Sequence, residues 1–204
     1  HGSPTGISTV AATMVESNQV NATLGVSVAG AGDVNGDGFS DVIVGVSGFD
    51  NGEANEGAAF VYHGSSTGIS IVVVAIMQSN QANAFFGQSV AGAGDVNADG
   101  YADVIVGNHL FDNGQVDEGS AFVYHGSAAG VNTTAAAIVE SNQAFSNFGF
   151  SVAGAGDVNG DGYSDVIVGA YLFDNGEADE GVAFIYHGSA SGTSTTAAVM
   201  EEYN

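Results

Sequence analysis

Three copies of one acidic motif carry the clearest chemistry in this sequence. The motif reads D-x-N-x-D-G-x-x-D and occupies 33–41, 95–103 and 157–165. Oxygen-bearing side chains at alternate positions converge on one point when a chain curls around a hard cation, and glycine at position six permits the sharp turn. Because the chain has no Cys and the loops contain no His, the pattern favours Ca²⁺ over Zn²⁺.

We therefore predict three Ca²⁺ ions, one in each loop. Each ion would be held by the side chains at positions one, three, five and nine and by the backbone carbonyl at position seven, with water completing the shell. The predicted ligands are Asp33, Asn35, Asp37, Phe39 and Asp41, then Asp95, Asn97, Asp99, Tyr101 and Asp103, then Asp157, Asn159, Asp161, Tyr163 and Asp165. The alternative is a metal-free turn rich in Asp and Asn. We favour metal because three carboxylates within nine residues would otherwise repel one another.

A second type of acidic loop also recurs. Its members are Asp50, Glu53 and Glu56, then Asp112, Asp117 and Glu118, then Asp174, Glu177, Asp179 and Glu180. A second cation site here is one interpretation. The spacing lacks the strict alternation of the first motif, so we favour a solvated turn whose acids keep the protein soluble.

The charge balance excludes whole classes of partner. The chain has 23 Asp and Glu, no Lys and no Arg, which gives a formal net charge of −23. Neutralising nucleic-acid phosphates requires Lys and Arg, so we expect no nucleic-acid partner, and the same reasoning argues against anionic lipid. The longest apolar run, 71–77, is far shorter than the ~20 residues that span a bilayer, so we expect no membrane insertion.

The elements that position these loops repeat every 62 residues. The copies are 1–62, 63–124 and 125–186, and 187–204 begins another copy; the second and third match at 40 of 62 positions. Each copy reads as four short strands. In the third copy these are Ser151–Ala155, Asp165–Gly169, Val182–Tyr186 and about Thr195–Met200, and the earlier counterparts of the last are Ile71–Met77 and Thr134–Val139. No segment shows sustained helical periodicity.

Four strands per repeat predict an all-β chain of antiparallel, propeller-type blades: three blades and the start of a fourth. The residues Phe148-Gly149 and the stretch 151–170 resemble an FG-GAP repeat. That family forms the blades of the integrin α-subunit propeller and of many bacterial secreted proteins, and the bacterial branch is the closer match. The resemblance implies an extracellular or cell-surface calcium-binding protein. The first copy departs from the pattern, since Leu24 replaces the Phe of the Phe-Gly pair.

Enzymatic activity is not expected. His63, His125 and His187 recur at every repeat junction, and a hydrolase triad could be drawn with the abundant Ser and Asp. An active site needs one asymmetric constellation, whereas these residues recur at equivalent positions, so a turn or inter-strand contact is the favoured role. Asn21 and Asn132 begin N-glycosylation acceptor triplets, which makes glycosylation at these two residues a further hypothesis.

Two functions remain open. Three blades do not close a ring, since propellers need four to eight. In the favoured interpretation, the chain is part of an extracellular structural or adhesive protein that self-associates head to tail into a fibre or long array. In the alternative, it is an excerpt of a closed seven-bladed, integrin-like propeller that binds a protein or glycan ligand. The chain lacks a signal peptide, which suggests a mature product or an excerpt. The array also predicts that residues near 1–18 and 187–204 are buried at contacts between subunits or blades.

Overall fold

The computed structural model describes residues 2–3, 6–7 and 9–201, and every helix or strand element in these residues is a strand. The strands are β1 (Gly2–Ser3), β2 (Gly6–Ile7), β3 (Leu24–Gly32), β4 (Asp41–Val46), β5 (Ala58–Tyr62), β6 (Ala75–Gln78), β7 (Ser89–Gly94), β8 (Asp103–Asn108), β9 (Ser120–Tyr124), β10 (Ala137–Glu140), β11 (Phe148–Gly156), β12 (Asp165–Ala170), β13 (Val182–Tyr186) and β14 (Val199–Glu201).

Twelve of these strands form three antiparallel sheets of four, each in chain order. We call them blade 1 (β3–β6), blade 2 (β7–β10) and blade 3 (β11–β14); β1 and β2 pair as a separate two-stranded ribbon. The predicted all-β class with four-stranded, propeller-type blades is thus confirmed. Each blade takes its fourth strand from the next 62-residue copy, so β14 completes blade 3 and does not open a fourth blade.

The two middle strands of each blade form where the sequence is richest in β-branched and aromatic residues. Strand β4 reads DVIVGV and pairs along its length with β5, AAFVY, and all five residues of β5 are buried. Such continuous apolar runs are typical of strands covered on both faces.

The predicted start of the fourth strand was wrong by three to four residues. Strand β6 begins at Ala75, not Ile71, and β10 and β14 begin at Ala137 and Val199. Ile71 and Val72 are 71% and 64% exposed and lie in a bend, where Val72 N–H donates to Ser70 Oγ at 3.1 Å. The ladder begins only where β5 offers partners, because Ala75 pairs with Val61.

The hydrophobic core lies between blades. We call the face that a blade turns to the following blade its trailing face, and the opposite face its leading face. Ile43, Ala59 and Val61 on the trailing face of blade 1 pack in one cluster with Val90 and Phe122 on the leading face of blade 2. Blades 2 and 3 repeat the arrangement with a second cluster.

Glycine lets the innermost strands of adjacent blades approach closely. A Cβ on Gly92 of β7 would lie 2.7 Å from Gly30 O of β3, and one on Gly154 would lie 2.6 Å from Gly92 O. A Cβ on Gly30 itself would meet nothing within 4 Å. At this position blades 2 and 3 each contact the preceding blade, whereas the leading face of blade 1 is open.

Candidate calcium loops

Each acidic motif forms the loop between the first and second strands of a blade. The residues 33–41 join β3 to β4, and the two later motifs join β7 to β8 and β11 to β12 in the same way. We call them loops 1, 2 and 3. Because strands enter and leave each loop at fixed register, all three loops lie at the same end of their blades.

Two of the predicted ligands of loop 1 lie close together. Asp37 N–H lies 3.0 Å from both Asp33 Oδ1 and Asn35 Oδ1, which places these two side-chain oxygens around one nitrogen. Asp33 Oδ2 accepts from Gly38 N–H at 2.8 Å, and Asp37 Oδ1 accepts from Phe39 N–H at 2.9 Å. Loops 2 and 3 repeat this set of bonds with distances within 0.1 Å.

The Asp at position nine is buried and anchors the loop. Asp41 Oδ2 accepts from Val34 N–H and its Oδ1 accepts from Gly64 N–H, both at 2.8 Å. Asp103 and Asp165 make the same two bonds, and all three side chains are at most 1% exposed. Each carboxylate oxygen retains one lone pair, so these residues tie the loop to its blade and still have oxygen lone pairs to offer a cation.

The pKa values follow the two environments. The hydrogen bond from the Asn35 amide and that from Phe39 N–H lower the pKa of the exposed Asp37. The pKa of Asp157 is lowered chiefly by Gly162 N–H, with further backbone donors. Burial raises the pKa of Asp103 to about 6, against the bonds from Gly126 and Val96 that favour its charged form. The carboxylates of Asp37 and Asp157 are thus held ionised, as hard-cation ligands must be.

The donor chemistry fits Ca²⁺, since every predicted ligand offers oxygen and two side-chain oxygens already converge. Within the described residues, however, no three Asp, Glu or His side chains are gathered closely enough to hold a metal. The loop therefore depends on Asn35 and on the backbone carbonyl of Phe39 as well as on carboxylates. The ligand set stays a prediction.

A contact that the sequence did not predict fixes the Asn ligand. Asn35 Nδ2 lies 2.9 Å from Asp37 Oδ2 and 3.3 Å from His63 Nδ1, which turns Oδ1 into the loop. Asn97 and His125 repeat the contact at 3.3 Å in loop 2. The regular recurrence of His at the repeat junction was the only available signal, since 28 residues separate it from its partner.

The following blade also covers loops 1 and 2. Ala102 N–H donates to Asp33 O at 3.0 Å, and Ser127 N–H donates to Val34 O at 3.0 Å. Ser164 and Ser189 of blade 3 bond to Asp95 O and Val96 O of loop 2 in the same way. The consequence is visible in burial, because Val34 and Val96 are fully buried and Val158 of loop 3 is 52% exposed.

The second acidic loop is built around a buried glutamate. Glu56 is fully buried, and its Oε1 accepts from Asn51 N–H at 2.6 Å; Glu118 and Asn113 repeat this at 2.7 Å. The loop that contains Glu118 is also held from outside, because the Gln81 side chain donates to Asp112 O and accepts from Asp112 N–H. The turn interpretation accounts for the exposed acids of this loop but not for its buried glutamates.

The predicted glycosylation sites and His109 lie outside the acidic loops. Asn21 and Asn132 are both exposed, and glycosylation there stays a prediction. His109, which has no His counterpart in the other repeats, lies between the rings of Phe85 and Phe150. Burial lowers the pKa of His109, and the charge of Asp117 acts in the opposite direction.

Comparison with known proteins identifies the repeat. The FG-GAP repeat model matches residues 24–62, 86–124 and 148–186. Integrin alpha-6 of Gallus gallus is 35% identical over 162 residues, which is 77% of this chain and 14% of the relative. Human integrin alpha-7 is 34% identical over 162 residues, 77% of this chain and 13% of the relative. Integrin alpha-5 of Xenopus laevis is 32% identical over 186 residues, 85% of this chain and 17% of the relative.

The chain thus spans about one-seventh of the length of these relatives. Each matched segment contains the first three strands of one blade. Among the described residues there is no helix that could span a bilayer.

Proposed function

The chain belongs to the FG-GAP repeat family, and from that premise we propose that it is an extracellular, calcium-binding repeat segment with a structural or adhesive role that associates head to tail. The observation that supports this proposal is that the trailing face of blade 3, and the leading face of blade 1 around Val28 and Gly30, leave open the positions whose counterparts pack between blades inside the chain. The contact is heterologous, so a copy that docks once can dock again and extend an array.

The trailing face of blade 3 carries the open half of this contact. An open groove of about 360 Å³ lies between residues 169–171 and 180–183. At the same position in blade 1, Gly57 bridges to Phe86, and Phe86 N–H donates to Glu56 O at 2.9 Å. In blade 2, Phe148 bridges to Gly119 in the same way. In blades 1 and 2 the corresponding position is filled by the Phe-Gly pair of the next blade. In blade 3 the same position is the open groove.

Burial along the strands agrees with an unfilled contact. Ile167, Ala183 and Ile185 of blade 3 are half-buried, whereas their counterparts in blades 1 and 2 are fully buried. On the opposite end, Val28 of blade 1 is 67% exposed and its counterpart Val90 is 7% exposed. A second copy that docks through its blade 1 would place its Leu24-Gly25 in the groove. The half-buried residues of blade 3 in the first copy and Val28 of the second copy would then both be covered.

Calcium would be held by the predicted ligands of loops 1, 2 and 3, and when bound it supplies positive charge among clustered carboxylates. Three Ca²⁺ ions would change the formal net charge from −23 to −17. The chain has no Lys or Arg, so none of those carboxylates can be paired with an ammonium or guanidinium group. This supports a structural role for the metal and an extracellular location, where millimolar Ca²⁺ suits sites of moderate affinity.

Residues 9–18, which were predicted to be buried at contacts, are mostly exposed in the single chain, with Met14 83% exposed. Residues 1, 4, 5, 8 and 202–204 lie outside the described part of the chain. The predicted contacts at both ends therefore stay part of the proposal.

Analytical ultracentrifugation with Ca²⁺ tests the array. The chain should sediment as a concentration-dependent series, and Gly30→Gln should remain a monomer. A Cβ added at Gly30 would meet nothing within 4 Å inside the chain, whereas one added at its counterpart Gly154 would lie 2.6 Å from a carbonyl of the preceding blade. A compact wild-type monomer at high micromolar concentration would overturn the array.

A second candidate rests on the likeness to integrin alpha chains, of which this chain covers about one-seventh. In that case the three blades are an excerpt of a closed seven-bladed propeller that binds a protein or glycan ligand. Electron microscopy of the longer native protein separates the two, because a disc supports the closed propeller and a fibre supports the array.

A further inference from the structure

We propose that loop 3 is a conditional calcium site: its affinity rises when a further blade, supplied by a second copy of this chain, docks on the trailing face of blade 3. The inference rests on the proposed head-to-tail association and adds its regulation. Calcium binding and assembly would then favour each other, since linkage between two binding events is reciprocal.

Loops 1 and 2 show what a following blade does to a calcium loop. Blade 2 donates two backbone hydrogen bonds to the carbonyls of Asp33 and Val34, the first residues of loop 1. It also places the ring of Tyr101 against Gly36, where an added Cβ would lie 2.8 Å from the ring. The loop that must curl around the ion is therefore held by a neighbour before the ion arrives.

The histidine contact belongs to the same arrangement. His63 lies between Asn35 of its own blade and Gly130 of blade 2, and an added Cβ on Gly130 would lie 3.0 Å from His63 Nε2. His125 is held in the same way against Gly192, at 2.9 Å. Docking of the next blade thus confines the imidazole that orients the Asn ligand.

Loop 3 has the internal bonds of a calcium loop but lacks this support. Asn159 bonds to Asp161 at 2.9 Å, yet in the described part of blade 3 it makes no hydrogen bond to His187. Val158 is 52% exposed where Val34 and Val96 are fully buried. The three loops have nearly the same sequence, so the difference comes from the missing neighbour and not from the ligands.

A ligand that binds one state better shifts the equilibrium toward that state. Here the two states of loop 3 are the free loop and the loop covered by a further blade. The covering blade already orders the loop, so less conformational entropy is lost when the ion binds. Loops 1 and 2, which are covered within the chain, should bind Ca²⁺ without any association. Loop 3 should bind more weakly in the monomer by about tenfold, within the usual range of coupling between two sites.

Amide NMR can follow the three loops separately. Gly38, Gly100 and Gly162 each donate a backbone N–H to the position-one Asp at 2.8 Å, so their resonances report their own loops. The ¹⁵N-labelled variant Gly30→Gln keeps an open trailing face. In this variant the amide resonance of Gly162 should shift at a Ca²⁺ concentration about tenfold higher than the resonances of Gly38 and Gly100 require.

Unlabelled Ser151→Leu then serves as the docking partner. The counterparts Ser27 and Ser89 bond to Gly87 O and Gly149 O of the next blade, so this variant blocks its own trailing face and forms only a dimer with Gly30→Gln. Adding it in excess should bring the Gly162 midpoint down to those of Gly38 and Gly100.

The outcomes separate the two proposals. Equal midpoints for the three glycines in the Gly30→Gln monomer would overturn the conditional site and leave the array standing. A tenfold difference without any association with Ser151→Leu would support the dependence of loop 3 on a neighbour and overturn association between copies. A dimer that forms while the Gly162 midpoint stays high would overturn the linkage.

Discussion

The Nδ1 atom of His63 lies 3.3 Å from the Nδ2 atom of Asn35, and the same two atoms of His125 and Asn97 are 3.3 Å apart in the next repeat. An amide nitrogen can only donate, so the imidazole Nδ1 is the acceptor in this contact. The junction histidine therefore positions the Asn side chain of the acidic loop, which accounts for the recurrence of His at each repeat junction.

Replacing His63 with Phe should weaken Ca²⁺ binding at loop 1 by about three- to tenfold, the equivalent of one lost hydrogen bond. His63→Asn should recover much of the affinity, because the Asn side-chain oxygen can accept at the position of Nδ1. The Ca²⁺ midpoint of the Gly38 amide measures the effect. His187→Phe is the matched control and should leave the Gly162 midpoint of the monomer unchanged; equal losses in the two Phe variants would contradict this assignment.

Chelation should lower the melting temperature strongly. Metal that binds only the native state stabilises it by about 2.7 kcal/mol per site when Ca²⁺ is a hundred times its Kd. For a chain of this size 1 kcal/mol corresponds to about 2–4 °C, so three sites amount to roughly 15–30 °C. Calorimetry with and without excess chelator measures the shift.

The control for chelation is the triple variant Asp37→Asn, Asp99→Asn and Asp161→Asn, which removes a carboxylate from each loop and keeps its size. Its melting temperature should be insensitive to chelator. If the wild-type melting curve is equally insensitive, the loops are metal-free turns.

Much of this architecture is predictable from sequence because it is local. The strands β4, β8 and β12 and the three acidic loops follow from β-branched runs and from the spacing of Asp and Gly. The start of β6 at Ala75 was missed because it depends on where β5 offers partners, not on the apolar run that begins at Ile71.

The contacts of the site that the sequence did not predict join residues far apart in the chain. His63 of blade 1 meets Gly130 of blade 2, and the backbone carbonyl of the buried Glu56 accepts a hydrogen bond from Phe86 of the next blade. The sequence of one repeat does not show which of its residues are buried by the next blade. The difference between Val34 and Val158 is likewise invisible in sequence, since both residues are Val in the same motif.

Acidification should destabilise the contact around His109. Burial lowers the pKa of His109 below its ordinary value of 6.5, so below that pH the unfolded chain binds more protons and stability falls as pH falls. His109→Tyr, which installs the residue of the third repeat, removes this dependence. The opposing group is Asp103, whose pKa of about 6 makes stability rise as pH falls from 6 towards 3.8.

The difference in melting temperature between wild type and His109→Tyr isolates the histidine, since Asp103 is common to both. That difference should change in favour of the variant as the pH falls from 7.5 to 5.5. A difference that is constant over this range would show that His109 titrates alike in the folded and unfolded chains.

Glycine at the second position of the Phe-Gly pair should matter more where a blade precedes it. Gly87 has φ +83° and an added Cβ would lie 2.2 Å from Ala58 O, whereas Gly25 has φ +90° and nothing within 4 Å. Both Ala variants bear the left-handed backbone cost of about 1–2 kcal/mol. Gly87→Ala should lose a further 1–3 kcal/mol or more, roughly the cost of overpacking, because the two blades must separate. Urea unfolding of the Gly30→Gln monomer carrying either change measures the difference, and equal losses would show that the Phe-Gly pair does not set the distance between blades.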